Sequence, residues 1–360
     1  MSSPIGQTLD ALDTPQLLLD LDVIDANLNF LLKACKERGV GLRIHFKSLK
    51  CGGLARYLAA HGGKSFLCAK LNEAEVLAEA GITDILVANQ VVGPIKLGRL
   101  ANLAKRVPIM ACVDDADNVA QMAQAARQAG TTVGTLIEVD IGMARCGLEP
   151  GEAVLALAKR IVAEKGLRFR GLHGYDGHLQ LLADPAERKA KSLQATEQVV
   201  GTRRLLEKNG IPVEIVTGAG TGTWEFVSSV AGMTEIQPGS FLLMDCVYHT
   251  VRPEFQCSLS VLAQVVSKRQ SWYVLDAGSK AISKDFGIPV VKGLPEEKLT
   301  RLSEEHANVA CTGHLPAIGA RREVIPAHCC ATMNLHRQCI AVRKGRVEAV
   351  WQNEASGRYD

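Results

Sequence analysis

The chain has 360 residues, of which 47% are hydrophobic and 22% charged, and its formal net charge at pH 7 is +3. These values indicate a globular protein with a large core, and so small a charge argues against nucleic acid or an anionic membrane as a partner. No stretch reaches the roughly 18 apolar residues of a membrane span. The sequence starts without the features of a signal peptide, and its eleven cysteines are an odd number, so we expect reduced thiols in the cytoplasm.

The first elements in the chain are a compact apolar strand, residues 16–21, and an amphipathic helix that Gly39 ends. After this helix, short strands alternate with helices. The predicted strands are 41–47, 65–69, 84–88, 108–113, 132–140, 169–175, 213–217 and 234–237. The clearest predicted helices between them are 72–80, 94–105, 116–129, 151–164 and 185–208.

Eight such strands, each but the last followed by a helical segment over about 200 residues, are what a (β/α)8 TIM-type barrel requires. A doubly wound open sheet shares the alternation and is the second interpretation. We predict an N-terminal barrel over residues 23–250. The composition changes near Arg252, and strand patterns without long helices then predict a C-terminal mostly-β domain over residues 251–360, joined by the first strand in residues 1–22.

Polar residues at the C-terminal ends of barrel strands are the candidates for function. Lys47 ends the first barrel strand, where it could be an ordinary surface lysine or a nucleophilic amine. Arg145 lies on a glycine-containing loop after the fifth strand, and Tyr175 ends the sixth. Alone, Arg145 would more commonly form a surface ion pair, and Tyr175 would cap the barrel.

Two glycine-rich loops follow the last two barrel strands. Their backbone N–H groups and hydroxyls suit a phosphate, and barrels frequently bind phosphate between these two loops. A glycine cluster by itself is more often only a turn, but this position favours phosphate binding. The candidate residues are Gly218, Gly220, Thr221, Gly222, Gly239 and Ser240.

A phosphate site, a strand-end lysine and an aromatic residue on one rim together suggest pyridoxal 5'-phosphate (PLP). Lys47 would carry the aldehyde of the cofactor as a Schiff base. Tyr175 would stack on the ring, and Arg145 would lie near the phenolic oxygen or the pyridine edge.

His328 and Cys330 are two residues apart in the second domain. In an extended segment their side chains would face the same side, so they could share one divalent ion. The thiol favours zinc, with manganese or magnesium as alternatives. Two protein ligands would leave positions for water and substrate, as a Lewis acid requires. The other interpretation is a core histidine beside buried thiols. His306 follows Glu305 and could be a base or a partner of the metal ligands.

A set of motifs extends over nearly the whole chain. They are Thr14-Pro15, Arg43-x-His45-x-Lys47-x-x-Lys50, Asp140-x-Gly142-x-x-Arg145-Cys146-Gly147, Gly218-x-Gly220-Thr221-Gly222, Pro238-Gly239-Ser240, Asp276-Ala277-Gly278-x-Lys280, Glu305-His306 and His328-x-Cys330. Together they resemble the D-threonine aldolase and D-serine dehydratase family, fold-type III PLP enzymes that are relatives of alanine racemase.

The resemblance implies a barrel followed by a β domain, and a divalent metal held beside the cofactor by an H-x-D or H-x-C pair. It makes Lys47 the Schiff-base lysine, Tyr175 the ring-stacking residue, and His328 and Cys330 the metal pair. It also places the two glycine-rich loops at the cofactor phosphate. Enzymes of this kind commonly work as homodimers.

The resemblance favours a lyase like D-threonine aldolase, which cleaves a small β-hydroxy-D-amino acid to glycine and an aldehyde. His306 or a hydroxide on the metal would be the base. The second interpretation is a zinc-dependent dehydratase of D-serine or a 3-hydroxy-D-amino acid, because the dehydratase branch has cysteine at the position of Cys330, whereas the aldolase branch usually has aspartate. A third, a non-catalytic PLP-binding protein, disagrees with the presence of residues 251–360, since such proteins lack this domain.

Overall fold

The structure is a computed structural model that describes residues 3–360. The internal contacts of the chain divide it into two compact units. We call them the barrel unit, which contains Leu31–Lys47, Ala55–Gly239 and Arg358–Asp360, and the β unit, which contains the residues up to Phe30, Ser48–Leu54 and Ser240–Gly357. The domain limits inferred from the sequence stay a prediction. Within residues 3–360, no helix is both long and apolar enough to cross a membrane.

Strands and helices alternate along the first two thirds of the chain. In order they are β1 (Gln16–Asp20), α1 (Leu21–Arg38), β2 (Gly41–His45), α2 (Gly52–Ala60), β3 (Ser65–Cys68), α3 (Leu71–Glu79), β4 (Asp84–Val87), α4 (Pro94–Leu103), β5 (Ile109–Val113), α5 (Ala116–Ala129), β6 (Val133–Glu138), α6 (Glu152–Ala163), β7 (Leu167–Gly174), α7 (Pro185–Lys208), β8 (Ile215–Gly218), α8 (Trp224–Val227) and β9 (Glu235–Ile236).

The last third of the chain is mostly strands. In order its elements are α9 (Tyr248–Val251), β10 (Leu259–Arg269), β11 (Trp272–Leu275), β12 (Val290–Val291), β13 (Glu297–Leu302), β14 (Ala307–Cys311), β15 (Arg321–Ile325), α10 (Cys329–Leu335), β16 (Gln338–Arg343) and β17 (Arg346–Gln352).

Strands β2 to β9 of the barrel unit close into a barrel in which neighbouring strands are parallel. The ring closes where Gly41 and Leu42 of β2 pair with Glu235 and Ile236 of β9. This confirms the predicted (β/α)8 barrel over the doubly wound sheet. One of its buried apolar clusters comes from strands β3 to β6 and β8 and consists of Leu67, Leu86, Met110, Cys112, Leu136 and Ile215.

Arg43 in the barrel motif has a structural role. Its side chain is 2% exposed and forms ion pairs with Glu235 of β9, at 2.7 Å, and with Asp84 of β4, at 2.8 Å. A buried guanidinium is tolerated when carboxylates use its donors in this way. The residue therefore links β2 to strands on both sides of it.

The β unit is built on a sheet in which β1 takes a central place. β1 pairs antiparallel with β10 and parallel with β16. The strand order is β13-β14-β11-β10-β1-β16-β17, and β15 pairs with β10 and β12. The hairpin of β16 and β17 turns at Lys344 and Gly345, both with positive φ.

The structure differs from the sequence prediction in a few elements. The first barrel strand ends at His45, and Lys47 lies in a 3₁₀ turn, Phe46–Ser48, directly after it. The prediction did not name α2, strands β12 to β14, or helix α10. A helix begins at Gly52 and Gly53, which are poor helix formers, so the pattern there gave no clear signal.

Candidate active site

Lys47 and Arg145 of the barrel unit both lie near the ring of Tyr175. Nζ of Lys47 is 5.7 Å from the ring centroid, and Cζ of Arg145 is 5.8 Å from it. Both distances are in the cation–π range. Each residue follows a barrel strand at its C-terminal end: Lys47 after β2, Arg145 after β6 and Tyr175 after β7. The structure thus brings together the lysine, arginine and aromatic residue that the sequence indicated.

The loop that carries Arg145 is organised by Asp140. Oδ1 of Asp140 accepts hydrogen bonds from the backbone N–H of Gly142 at 2.9 Å and from those of the next two residues. Farther along, the N–H of Gly147 donates to Oδ2 of Asp114 at 2.8 Å. Gly147 has φ +102°, and a Cβ atom there would lie 2.8 Å from the Asp140 nitrogen, so the turn requires glycine. These bonds hold the backbone at Arg145 in a defined position.

Gly177 makes space for the ring of Tyr175. A Cβ atom at position 177 would lie 2.5 Å from Cε1 of Tyr175 and 2.7 Å from Sδ of Met143. Any larger residue would therefore displace the ring. Glycine is therefore required at position 177 by the packing of Tyr175 and not by the backbone conformation of Gly177 itself.

The glycine loop after β8 packs against Gln180. The N–H of Gly222 donates to Oε1 of Gln180 at 2.8 Å, and the N–H of Gly220 donates to Oγ1 of Thr223 at 3.3 Å. A Cβ atom at Gly220 would lie 2.4 Å from Oε1 of Gln180, and one at Gly222 would lie 1.9 Å from its carbonyl oxygen. The glycines are thus needed for this close approach. A phosphate that used these two N–H groups would have to replace Gln180 and Thr223.

Thr221, Gly239 and Ser240 are the other residues predicted at the phosphate. Thr221 is buried in the barrel unit, between the two glycines. Gly239 ends the barrel unit, and Ser240 begins the β unit in a 3₁₀ turn, Ser240–Leu242. Their contact with a phosphate stays a prediction.

Asp176 is a buried carboxyl that is not among the site residues predicted from the sequence. It is 1% exposed, and its Oδ1 accepts a hydrogen bond from Nε2 of Gln180 at 2.8 Å. The same Nε2 lies 2.9 Å from Oγ1 of Thr223, so Asp176 belongs to the network that holds the glycine loop. Burial raises the pKa of Asp176 to about 6, although hydrogen bonds from Thr223 and Gln180 oppose the shift.

Replacing Asp176 with asparagine should stabilise the protein at neutral pH and not at pH 4. The pKa of Asp176 is higher in the folded state, at about 6, than in the unfolded state, at 3.8. The aspartate therefore weakens the fold progressively as the pH rises from the lower pKa through the higher one. Full ionisation of a group shifted from 3.8 to about 6 corresponds to a loss of about 3 kcal/mol.

Urea unfolding of the wild type and of Asp176→Asn between pH 4 and pH 8 measures this difference, with the exposed Glu79→Gln as the control. A constant difference across the pH range would show that Asp176 does not titrate as described.

A row of buried and half-buried polar side chains connects strand ends in the barrel unit. Nε2 of Gln90 donates to Glu138 at 2.5 Å and to Asp114 at 3.0 Å. Oε1 of Glu138 is 3.8 Å from Nδ1 of His173, whose Nε2 is 3.1 Å from Oε1 of Gln237. Burial lowers the pKa of His173, with Glu138 opposing this shift, and favours the neutral imidazole. These five residues lie at or just after the ends of barrel strands, which the sequence pattern indicates, but none of them belongs to a recognisable motif.

His328 and Cys330 lie together in the β unit. The imidazole and the thiol are in hydrogen-bonding contact, and Nδ1 of His328 is 2.6 Å from Oδ2 of Asp285. Burial opposes the charged imidazole, but Cys330 and Asp285 raise the pKa of His328 to about 9. Sγ of Cys330 is 3.0 Å from Oγ of Ser48 and 3.7 Å from Oγ of Ser240.

The extended backbone predicted for this pair is present at His328 but not at Cys330. His328 is extended, with φ −145°, but Cys330 lies in the first turn of α10. The side chains meet because the chain enters the helix directly after His328. The sequence therefore identified the pair of residues correctly as neighbours, though for a different backbone conformation.

The donor atoms of this pair fit a divalent metal with open coordination positions. One imidazole nitrogen and one sulfur are ligands that zinc prefers. Within residues 3–360, no group of three or more His, Cys, Asp and Glu side chains is arranged to hold an ion, so a closed structural site is not formed there. In the barrel unit, the amine of Lys47 and the guanidinium of Arg145 beside one aromatic ring fit a flat, anionic cofactor such as PLP.

His306 lies in the turn between β13 and β14 of the β unit, and its side chain is exposed. Its carbonyl oxygen accepts a hydrogen bond from Ser303 at 2.9 Å. The preceding Glu305 forms an ion pair with Nζ of Lys280 at 2.6 Å. The role of His306 as a base stays a prediction.

Comparisons with known proteins extend over both units. The family model of the alanine racemase N-terminal domain matches residues 19–246, and that of a serine dehydratase domain matches residues 258–342. The chain is 38% identical to D-threonine aldolase of Arthrobacter sp over 98% of this chain and 95% of that protein. It is 35% identical to 3-hydroxy-D-aspartate aldolase of Paracoccus denitrificans (strain Pd 1222), over 98% and 94%.

A solved structure of D-threonine aldolase from Filomicrobium marinum superimposes on the chain with a TM-score of 0.96 and 38% identity, over 99% of both chains. The chain therefore belongs to the D-threonine aldolase and D-serine dehydratase family of fold-type III, alanine racemase-like PLP enzymes, and it is nearer to the aldolase branch.

Proposed function

We propose that the protein is a PLP- and divalent-metal-dependent lyase that cleaves a β-hydroxy-D-amino acid into glycine and an aldehyde. The observation that carries this proposal is the similarity to two aldolases along 98% of the chain. The cluster of Lys47, Arg145 and Tyr175 and the contact of His328 with Cys330 support it, because the chemistry needs a cofactor site and a Lewis acid.

In this proposal the barrel unit holds the cofactor. Bound PLP would supply an electron sink for the bond that breaks at Cα of the substrate. Lys47 would provide the amine that holds the cofactor. The same amine would also give a proton to Cα of the glycine product. Arg145 and Tyr175 would fix the plane of the ring, and the loop at Gly218–Gly222 with Gly239 would take the phosphate, while a contact of Ser240 with the phosphate stays a prediction.

The β unit would supply the groups that act on the substrate hydroxyl. A zinc ion on His328 and Cys330 would provide Lewis acidity toward that oxygen, with manganese or magnesium as the alternatives. His306 accepts the hydroxyl proton as the Cα–Cβ bond breaks and the aldehyde forms. An imidazole is suited to this because a neutral ring carries a nitrogen that can accept a proton.

A dehydratase is the second candidate, and the observation that favours it is Cys330 together with the match of residues 258–342 to a serine dehydratase domain. In this reaction Lys47 would remove the proton from Cα, and the β-hydroxyl would leave as water. The products would be ammonia and a 2-oxo acid in place of glycine and an aldehyde.

Product analysis with the holoenzyme separates the two candidates. We expect D-threonine to give glycine and acetaldehyde in equal amounts, and 3-hydroxy-D-aspartate to give glycine and glyoxylate. An L-threonine incubation is the control and should give neither product. Formation of 2-oxo acids and ammonia would favour the dehydratase, and the absence of any product from D-threonine, 3-hydroxy-D-aspartate and D-serine would contradict both candidates.

The proposal also includes the predictions of a homodimer and of a cytoplasmic location. The homodimer is supported by the common assembly of enzymes in this family. The cytoplasmic location is supported by the eleven cysteines, an odd number that favours reduced thiols. Light scattering of the purified holoenzyme gives the number of chains per particle, and cell fractionation gives the location.

A further inference from the structure

The imidazole of His328 is held on two sides by neighbouring residues of the β unit. On its edge, Oδ2 of Asp285 lies 2.6 Å from Nδ1. On its face, the ring of Phe286 is stacked at a centroid distance of 3.9 Å with an interplanar angle of 3°. Two consecutive residues therefore contact the edge and the face of the same ring.

The short contact with Asp285 determines which ring nitrogen carries hydrogen. A carboxylate only accepts, so Nδ1 must donate its proton to Oδ2. In the neutral imidazole, the lone pair is then on Nε2. Since Nδ1 is used by Asp285, Nε2 is the nitrogen left for Cys330 and for an ion. A carboxylate on the far nitrogen of a histidine ligand is a common way to fix its tautomer and orientation.

Stacking on Phe286 fixes the remaining freedom of the ring. Rotation of the imidazole about its bond to Cβ would break a parallel stack at 3.9 Å and also the contact with Asp285. The side chain of His328 is 19% exposed, so it reaches solvent while both contacts are made. The ring is thus accessible and pre-oriented.

The segment that carries Asp285 is itself tied to α10. Oγ of Ser283 donates a hydrogen bond to Oδ1 of Asp285, and the N–H of Ser283 donates to Oγ1 of Thr332 at 3.1 Å. Thr332 is fully buried in α10, and its N–H donates to the carbonyl oxygen of His328 at 3.2 Å. The carboxylate and the histidine therefore share one anchor.

We propose that Asp285 and Phe286 are positioning residues that direct Nε2 of His328 at the divalent ion held with Cys330. The inference rests on the metal part of the proposed function and adds two residues to it. Neither residue touches the reacting atoms; both act through His328. Their loss should weaken metal binding before it affects the fold, since the Asp285 side chain is 47% exposed.

Zinc affinity of the purified holoenzyme, measured by competition with a chromophoric chelator, tests this. We expect Asp285→Asn and Asp285→Ala to bind zinc about 10- to 100-fold more weakly than the wild type. Asp285→Glu should recover part of the affinity because it keeps the carboxylate. Phe286→Leu should weaken binding in the same direction. The control is Glu296→Gln, an exposed acid of the β unit, and thermal unfolding verifies that each variant folds.

Cobalt(II) provides a readout that a purely structural role would not change. Its absorption from the Cys330 sulfur should shift in Asp285→Asn, because the histidine ligand is turned. Weaker zinc binding with an unchanged unfolding temperature supports the inference, even if no lyase activity is found. Wild-type zinc affinity in all Asp285 and Phe286 variants overturns it and leaves the lyase intact. A wild-type protein that binds no zinc overturns it together with the metal part of the proposed function.

Discussion

Replacing Lys47 with alanine is expected to remove the visible absorption of bound PLP and to lower lyase activity by at least about 10³-fold. The reason is that this amine has two tasks in the proposed reaction. It holds the aldehyde of the cofactor, and it moves a proton at Cα of the substrate. Its position after β2, with Nζ 5.7 Å from the ring of Tyr175, places it beside the residue proposed to stack on the cofactor.

Absorption spectra and product formation from D-threonine measure the two effects on the same preparation. Lys64→Ala is the matched control, because Lys64 is an exposed lysine of the barrel unit that precedes β3. It should keep both the absorption and the activity. If Lys47→Ala retained the cofactor spectrum of the wild type and its activity, another amine would hold the cofactor and the assignment would be wrong.

The barrel could be predicted from the sequence because each βα unit has a local pattern. Apolar runs of a few residues, separated by amphipathic helices such as α5 and α6, repeat often enough to fix both the class and the number of strands. Capping residues mark several of the helix ends: Asp115 and Asp184 accept hydrogen bonds from the first turns of α5 and α7. These signals lie within a few residues of the element they define.

The β unit was harder to predict because its strands depend on distant partners. β13 contains charged residues at exposed positions and lies at the edge of its sheet, where it pairs with β14, and β12 has two residues. Short, polar strands at the border of a sheet have little hydrophobic pattern of their own. The same limit applies to α10, whose beginning at Cys329 decides how Cys330 is oriented.

The candidate site shows the same division. Some site residues could be recognised from their side-chain chemistry and from the motifs in which they lie, namely Lys47, Tyr175 and Cys330. Gln180 and Asp285 do not: Gln180 lies 42 residues from the glycine it contacts, and Asp285 lies 43 residues from His328. No local pattern connects such pairs. They become visible only when the fold places them together, and the close approach of Gln180 also explains why the loop needs its glycines.

Changing Cys330 to aspartate is expected to change the metal that the protein prefers. A thiolate is a soft ligand that favours zinc, whereas a carboxylate favours manganese or magnesium. We expect Cys330→Asp to lose more than about 100-fold in zinc affinity, since a ligand itself contributes more than the outer contacts that cost 10- to 100-fold. Activity should then be restored by manganese more effectively than by zinc, the reverse of the wild type.

The same variant tests whether the group at position 330 affects the reaction, because a carboxylate replaces the thiol and the rest of the chain is unchanged. The side chains of the barrel unit that would hold the cofactor are untouched, so the absorption of the cofactor should match that of the wild type.

Metal content and the ratio of glycine to 2-oxo acid are measured after removal of bound metal with a chelator and reconstitution with zinc or manganese. Cys257→Ser, a half-buried thiol of the same unit, is the control and should retain the zinc preference. Zinc affinity that is equal in Cys330→Asp and the wild type would show that the sulfur is not a ligand. If Cys330→Asp prefers manganese and the ratio of glycine to 2-oxo acid also changes, Cys330 controls both the metal and the reaction.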